Sequence, residues 1–259
     1  MGEGSDAGER GAVLRAGRRN YNIFSGFFGG LLAICADLLY NYINRRSRLS
    51  TDVLKVEIQS AIRSTVMKKE TVYKLFSKIP TLETERLTLR RMKPSDSRDM
   101  FEYASKPEVT RYLLWEPHQN QRQTQDYLEY LQTRYRVGDF YDWALVDRER
   151  SKMIGTCGFT SLDFYNNSAE VGYVLNPEYW GRGIACEALC EVLKFAFMEL
   201  NIHRVEAKYI VGNDRSRRVM EKCGMSFEGV RRSSMFIKGS YRDIGICSIL
   251  SEEYINKYL

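Results

Sequence analysis

The hydrophobic pattern of the C-terminal two thirds of the chain changes between the period of strands and the period of helices. Residues 87–92 (LTLRRM) alternate apolar and polar side chains, which predicts a strand. Three further runs with β character, residues 142–148, 152–162 and 169–175, follow one another across short polar turns. This arrangement predicts an antiparallel meander in the middle of the sequence.

Segments with helical spacing flank these strands. In residues 122–138 apolar side chains recur every three or four positions up to Gly138, and residues 185–201 have the same spacing. Two shorter helices are predicted. The first is residues 95–103, with Ser95 and Asp96 as candidate N-caps, and the second is residues 213–224, capped by Asn213 and closed by Gly224. A strand at 203–211 precedes the second helix, and a hairpin at 226–250 with its turn at Lys238–Gly239 follows it. The order β-α-α-β-β-β-α-β-α-β-β contains no internal repeat, and it predicts one mixed α+β domain.

The N-terminal region has a different character. Residues 1–20 are rich in glycine and charge, which is typical of disorder, and an apolar stretch at 21–43 follows. Its charge-free part, Asn20–Ala36, is shorter than the ~20 residues that span a bilayer. Asp37 then interrupts it, so a helix that contacts a membrane surface is the stronger functional hypothesis for this stretch.

A second interpretation assigns this region no part in the chemistry. The sequence MKKETVYKLF begins at Met67 and has the form of a natural protein start, with two lysines and an amphipathic lead. We therefore expect residues 1–66 to be an extension and residues 67–259 to be the folded domain.

Composition narrows the class of protein. The 259 residues are 44% hydrophobic and 28% charged, values typical of a globular protein. The net charge of +6 is too small to indicate a nucleic acid or a membrane as partner. The six cysteines lack CxxC and disulfide-framework spacing, which favours reduced thiols and a cytoplasmic location. Two histidines cannot form a metal cluster, and two thiols at Cys186 and Cys190 do not make a zinc site. We expect buried thiols at these positions and no metal.

Gly181, Arg182 and Gly183 lie between the strand at 169–175 and the helix that follows. A helix begins with backbone N–H groups that have no intrahelical partner and with the positive end of its dipole. Glycines ahead of it allow several N–H groups to converge and an anion to approach the backbone. The segment matches neither a Walker A sequence nor GxGxxG, and an isolated glycine pair can equally make a purely structural β-to-α turn.

Four segments in order favour the anion site. The sequence YWGRGIACEAL resembles the acyl-CoA signature Gln/Arg-x-x-Gly-x-Gly/Ala of the GNAT superfamily of N-acetyltransferases, with Trp180, Gly183 and Ala185 at the three defined positions. The segments LETERLTLRRM, AEVGYVLNPEYWG and NDRSRRVMEKCGMSFEG resemble the branch of ribosomal-protein N-terminal acetyltransferases, over about residues 80–255. The resemblance implies a mostly antiparallel sheet of six to seven strands with about four helices and a cofactor cleft where two central strands splay apart.

The resemblance also assigns the cofactor contacts. It implies that acetyl-CoA, a co-substrate, pairs its pantetheine arm with the main chain of the splayed strand. The residues implied to bind it are Tyr173, Val174 and Leu175 for pantetheine, Gly181, Arg182, Gly183, Ile184 and Ala185 for the pyrophosphate, and Asn213 for pantetheine.

Acetyl transfer needs a base for the amine, donors for the oxyanion and an acid for the thiolate. Glu170 begins the splayed strand and is the candidate base, although an ordinary strand carboxylate is an open alternative. Many members of the family place a tyrosine acid seven residues after the asparagine, where this chain has Met220. Ser216, one turn earlier, is the substitute acid, unless it is only a small packing residue.

The acceptor is the least defined partner. Trp115 matches the family segment that lines the acceptor cleft, and Tyr241 in the last hairpin is a second candidate contact. We expect acetyl transfer to a primary amine, with a protein N-terminus as the first candidate and a polyamine, amino sugar or amino-acid-like metabolite as the alternative. A non-catalytic acyl-CoA-binding module is the alternative from another class. We expect a monomer or homodimer, no nucleic acid partner and membrane contact only through residues 21–43.

Overall fold

A computed structural model describes residues 68–258 of the chain. The apolar stretch at 21–43 and the proposed boundary at Met67 lie outside the described residues, so both stay predictions. The strands are β1 (Leu82–Glu83), β2 (Leu87–Arg90), β3 (Tyr141–Asp147), β4 (Lys152–Asp163), β5 (Ser168–Leu175), β6 (Arg204–Ile210), β7 (Ser226–Ile237) and β8 (Ser240–Leu250). The helices are α1 (Lys69–Ser77), α2 (Ser97–Ala104), α3 (Pro107–Thr110), α4 (Gln121–Val137), α5 (Ile184–Met198), α6 (Asp214–Lys222) and α7 (Ser251–Tyr258).

The eight strands form one sheet in the order β1-β2-β3-β4-β5-β6-β8-β7. All neighbours are antiparallel except β5 and β6, which run parallel. The α+β class and the antiparallel meander of β3, β4 and β5 are therefore confirmed. The sheet has one strand more than the expected six to seven, and the additional strand is β1. It was not predicted because two residues are too few to show an alternating pattern.

The helix count also exceeds the expected four, since seven α-helices occur among residues 68–258. The three additional helices are α1, α3 and α7, with nine, four and eight residues. Runs this short give weak periodicity and are stabilised mainly by packing on the sheet. Asp96 does occupy the position before α2, but its carboxylate binds Arg90 and the Lys93 amide instead of capping that helix.

Two predicted turns are explained by backbone geometry. Gly138 ends α4 with a φ of +82°, and a Cβ there would lie 1.8 Å from the Tyr73 carbonyl oxygen. Only glycine fits, because α1 packs directly on that position. At the last hairpin, Lys238 and Gly239 have φ values of +49° and +79°, as a two-residue hairpin turn with two left-handed residues requires.

Aromatic rings hold α1 and α5 against the sheet. Trp143 on β3 is fully buried, with ring centroids of Phe76 and Phe195 each 5.5 Å away. Its indole nitrogen donates to the Pro80 carbonyl oxygen at 2.7 Å, so the polar atom of the ring is satisfied inside the core. This packing fixes α5, the helix that follows the glycine loop.

Within residues 68–258, none of the helices combines the length and the apolar character that a membrane crossing requires. The predicted membrane contact at 21–43 lies outside this range.

Candidate active site

Strands β5 and β6 separate part-way along their length. They pair from Ser168–Arg204 to Val171–Ala207 and no further, although both strands continue. Beyond that point β5 stays paired with β4, and β6 stays paired with β8. In the described chain, the edge of β5 from Gly172 onward therefore has no strand beside it, and its backbone groups on that side can pair with an extended ligand.

The glycine loop lies at the end of this open edge. Gly181 and Gly183 both have a φ of +77°, and Gly183 is the N-cap residue, directly before α5. No side chain caps this helix start. A Cβ on Gly181 would meet nothing within 4 Å, and one on Gly183 would meet only the Arg86 guanidinium, at 3.6 Å. The glycines are therefore required by backbone conformation and leave the helix N-terminus open to an anion.

A charged contact from the start of the sheet fixes the loop. Arg86 pairs with Glu187 on the first turn of α5 at 2.6 Å and donates to the carbonyl oxygen of Arg182 at 2.9 Å. Thr84 also donates to the Glu187 carboxylate. Burial disfavours the charge of Glu187, but the hydrogen bonds from Thr84 and Arg86 outweigh it and lower its pKa. We refer to Thr84, Arg86 and Glu187 as the loop clamp.

Glu170 lies at the paired end of the cleft, one residue before the last β5–β6 pair. Its carboxylate is 2.7 Å from the ammonium nitrogen of Lys208, which is also 3.2 Å from Glu206. Burial lowers the pKa of Lys208, but its bonds to the two carboxylates outweigh this and raise it, so Lys208 is an ammonium and not a base. The structure thus places Glu170 where the two strands begin to separate, in an ion pair.

Ser216 has a partner that the sequence did not indicate. The Tyr173 hydroxyl lies 2.9 Å from the Ser216 hydroxyl and also donates to the Ser216 carbonyl oxygen at 2.9 Å. Burial raises the pKa of Tyr173, so its hydroxyl stays protonated. Met220 is 2% exposed and belongs to the core. We refer to Tyr173 and Ser216 as the hydroxyl pair, which connects β5 to α6.

Asn213 lies before α6, and its side-chain oxygen accepts from the Ser216 amide at 3.3 Å. Its predicted role as helix N-cap is confirmed, and the side-chain NH₂ group remains as a donor. Trp180 in the loop before α5 donates to the Leu175 carbonyl oxygen at 2.8 Å. Leu175 consequently has its carbonyl occupied, which leaves Tyr173 and Val174 as the stronger main-chain candidates.

The two acceptor candidates lie on neighbouring segments. The Trp115 ring is half-buried and packs on His118, with centroids 5.3 Å apart. Tyr241 is 69% exposed at the start of β8. Lys238, in the turn before β8, donates to the Thr110 carbonyl oxygen at 2.8 Å and so links the hairpin to the segment that contains Trp115.

This arrangement corresponds to a known family. Residues 86–226 match the family model described as "Acetyltransferase (GNAT) domain". The chain belongs to the GNAT family. It is an N-acetyltransferase. The expected enzyme class is therefore confirmed over the alternative of a non-catalytic acyl-CoA-binding module. Members of the family use acetyl-CoA.

Relatives of this GNAT chain match about two thirds of its length. "Uncharacterized N-acetyltransferase p20" from Bacillus licheniformis is 35% identical over 67% of this chain and 98% of its own length. A GNAT-family acetyltransferase from Bacillus anthracis has a crystal structure that superposes with a TM-score of 0.60 at 28% identity, covering 67% of this chain and 99% of that one.

Other relatives carry names of different acceptors. "[Ribosomal protein uS5]-alanine N-acetyltransferase" from Escherichia coli is 24% identical over 67% of this chain and 92% of its own length. The spermidine N-acetyltransferase from Vibrio cholerae, solved in complex with CoA and spermine, superposes with a TM-score of 0.57 at 26% identity, covering 67% of this chain and 100% of that one. The ribosomal-protein acetyltransferases are thus one of several GNAT branches that this chain resembles.

Three features of the candidate site and its surroundings were missed by the sequence analysis. The loop clamp joins residues about a hundred positions apart, and only the position of Arg86 within LETERLTLRRM gave a signal. Tyr173 was assigned for its main chain alone, and its hydroxyl was overlooked. Cys223 was not connected with Cys186 and Cys190, although the sulfurs of all three lie within 4.8 Å of one another. The expectation of buried thiols is wrong for Cys186 and Cys190, which are partly accessible at the surface of α5.

Proposed function

We propose that this GNAT enzyme transfers the acetyl group of acetyl-CoA to the amine of a protein or peptide N-terminus in the cleft between β5 and β6. The open edge of β5 beside an uncapped helix N-terminus is the observation that carries the proposal. Pantetheine pairs with the main chain of Tyr173 and Val174. The pyrophosphate accepts hydrogen bonds from the amides of residues 181–185, with Arg182 adding charge.

The side-chain NH₂ group of Asn213 donates to a pantetheine carbonyl while its oxygen caps α6. Arg215 lies over the Trp180 ring, 5.3 Å from its centroid. This contact joins α6 to the loop before α5, so the pantetheine and pyrophosphate parts of the proposed site are held by contacting elements.

Glu170 acts as the general base. An α-amine has an ordinary pKa of about 8, so a usable fraction is neutral near pH 7 and the base need only take the proton lost on attack. Lys208 holds the Glu170 carboxylate in an ion pair at 2.7 Å. The acceptor amine replaces or joins Lys208 beside that carboxylate, directly or through one water molecule.

The hydroxyl pair supplies the proton to the departing thiolate. The Ser216 hydroxyl gives its proton to the thiolate sulfur. The Tyr173 hydroxyl, 2.9 Å away, turns its single proton from the Ser216 carbonyl oxygen to the Ser216 side-chain oxygen and transfers it there. Solvent, which receives the amine proton from Glu170, returns a proton to Tyr173. This two-member relay takes the place of the family tyrosine that Met220 replaces. A thiolate is weakly basic, so its protonation makes a smaller demand on the acid than an alkoxide would.

The charge near the acceptor segments favours a peptide over a polyamine. The strands of the last hairpin and its turn carry Arg231, Arg232, Lys238 and Arg242. The acidic groups there are Asp243 and Glu228, which is already paired with Arg204, and Glu116 lies beside Lys238. A polycation such as spermidine is repelled by this excess of positive charge. A peptide N-terminus presents a single positive charge, and its side chains can pack on the Trp115 and Tyr241 rings.

An acceptor screen tests the proposal. The purified full chain is assayed for CoA thiol release with peptides that have free N-termini, the same peptides with blocked N-termini, spermidine, amino sugars and amino acids. Turnover restricted to free N-termini is expected. Faster turnover of a small amine than of every peptide would contradict the assigned acceptor.

Glu170→Gln is expected to lower kcat by about 10²–10⁴-fold while the dissociation constant of acetyl-CoA stays unchanged. Glu206→Gln is the matched control, because Glu206 binds the same lysine at 3.2 Å but is not the proposed base. Equal losses in the two variants would indicate that only the ion-pair network matters and would contradict the base assignment.

A further inference from the structure

Three thiols converge where two helices meet. Cys186 and Cys190 lie one turn apart on α5, and Cys223 is the C-cap residue, directly after α6. Their sulfur atoms all lie within 4.8 Å of one another, and those of Cys186 and Cys223 are 3.3 Å apart. Cys223 is buried, whereas Cys186 and Cys190 are partly accessible. The other two cysteines in the described part of the chain, Cys157 and Cys247, are buried and not members of this cluster.

The spacing suits a thiophilic metal ion. Zinc–thiolate bonds of about 2.3 Å in a tetrahedral site place sulfur atoms roughly 3.8 Å apart, and thiolates select zinc and other soft or borderline ions. We propose that Cys186, Cys190 and Cys223 bind one Zn²⁺ ion, with a fourth position open to water.

A cavity provides access to the cluster. About 270 Å³ of space lies beside Cys190 and Cys223, lined also by Glu187, Glu191 and Tyr258. Both carboxylates have partners already, since Glu187 binds Arg86 and Glu191 lies 3.3 Å from Lys194. A water molecule in the cavity is therefore the fourth ligand that fits without breaking either of these two ion pairs.

The ion would connect two parts of the acetyltransferase site. Cys186 belongs to the first turn of α5, directly after the glycine loop, and Cys223 ends the helix that Asn213 begins. Zinc would cross-link α5 and α6 and hold the proposed pyrophosphate loop in a fixed position relative to Asn213. The site itself does not depend on the proposed acceptor or on acetyl transfer.

Cobalt spectroscopy tests the proposal directly. The full chain, without an affinity tag, is reduced, freed of metal with a chelator and titrated with Co²⁺ under anaerobic conditions. We expect thiolate-to-cobalt charge-transfer absorption and tetrahedral d–d bands that saturate at one equivalent, and Zn²⁺ is expected to displace them. Absence of the charge-transfer band in the wild-type chain would overturn the proposal.

Substitutions locate the ligands. Cys190→Ser and Cys223→Ala are expected to abolish the saturating cobalt bands, whereas Cys35→Ser, Cys157→Ser and Cys247→Ser retain them. Cys190 is partly accessible, so Cys190→Ser preserves the fold, which its circular dichroism spectrum and melting temperature check. Unchanged bands in Cys190→Ser, or their loss in all three control variants, would overturn the assignment. A wild-type chain that forms a Cys186–Cys223 disulfide in air and binds no Co²⁺ after reduction would also overturn it.

Discussion

Replacing Gly183 by alanine tests the glycine loop, because the backbone geometry separates strain from ligand contact at this position. Gly183 has a φ of +77°, a region in which an L-residue costs roughly 1–2 kcal/mol. The nearest atom to a new Cβ is the Arg86 guanidinium nitrogen at 3.6 Å, an ordinary van der Waals distance. The free energy of unfolding should therefore fall by about 1–2 kcal/mol from strain alone.

The effect on the cofactor should be separate and additional. The methyl group would stand where the pyrophosphate approaches the backbone, and loss of one hydrogen bond to a charged group costs about 1.5–3 kcal/mol. The dissociation constant of acetyl-CoA should accordingly rise by about 10- to 150-fold. Isothermal titration calorimetry with acetyl-CoA measures this change, and thermal unfolding without ligand measures the strain.

Gly239→Ala is the matched control. Gly239 has a φ of +79°, and a Cβ there would meet nothing within 4 Å, but it lies in the last hairpin and not in the glycine loop. It should lose similar stability, about 2–4 °C in melting temperature per kcal/mol for a domain of this size, with unchanged affinity for acetyl-CoA. If Gly183→Ala binds acetyl-CoA as tightly as Gly239→Ala does, the assigned pyrophosphate site is wrong.

Three further substitutions follow from the geometry. Gly138→Ala should lower the free energy of unfolding by several kcal/mol, well beyond the strain in Gly239→Ala, because its Cβ would lie 1.8 Å from a backbone oxygen of α1; a urea melt with an equal midpoint shift in the two variants would refute this. Glu187→Gln should lower the free energy of unfolding by ~1 kcal/mol at pH 7, and because the pKa of Glu187 is lowered in the folded chain, this loss should be complete above the pKa of the unfolded chain and disappear as the pH falls through the pKa of the folded chain. Thermal melts at several pH values measure this loss, and a loss that does not depend on pH would argue against the ion pair with Arg86. Tyr173→Phe should reduce kcat about 10²-fold with unchanged acetyl-CoA affinity, the lower end for general-acid catalysis, in steady-state CoA release; full activity would exclude the relay through Ser216.

The regular parts of the fold were predictable because their signals are local. The period of α4, its end at Gly138 and the turn at Lys238–Gly239 all depend on neighbouring residues, and the structure confirms each. Strand β1 and helix α3 were missed, since two and four residues carry no measurable period. Their formation depends on packing against the rest of the sheet.

The geometry of the candidate site was predictable only where its residues are close together in sequence. The glycine pair and the splayed strand lie within about fifteen positions of one another, and the family signature marks both. The contact of Arg86 with Glu187 and the convergence of Cys223 with Cys186 join positions 101 and 37 residues apart. Such contacts depend on the tertiary fold, and no spacing rule indicates them.

The central claim is that acetyl-CoA occupies the splay between β5 and β6 with its diphosphate on the amides that begin α5. A crystal structure of the full chain with CoA tests this most directly. The account predicts phosphate oxygens about 3 Å from the amide nitrogens of Gly183, Ile184 and Ala185, with pantetheine paired along Tyr173 and Val174. CoA bound at another surface, with the open edge of β5 still free of ligand, would contradict the account.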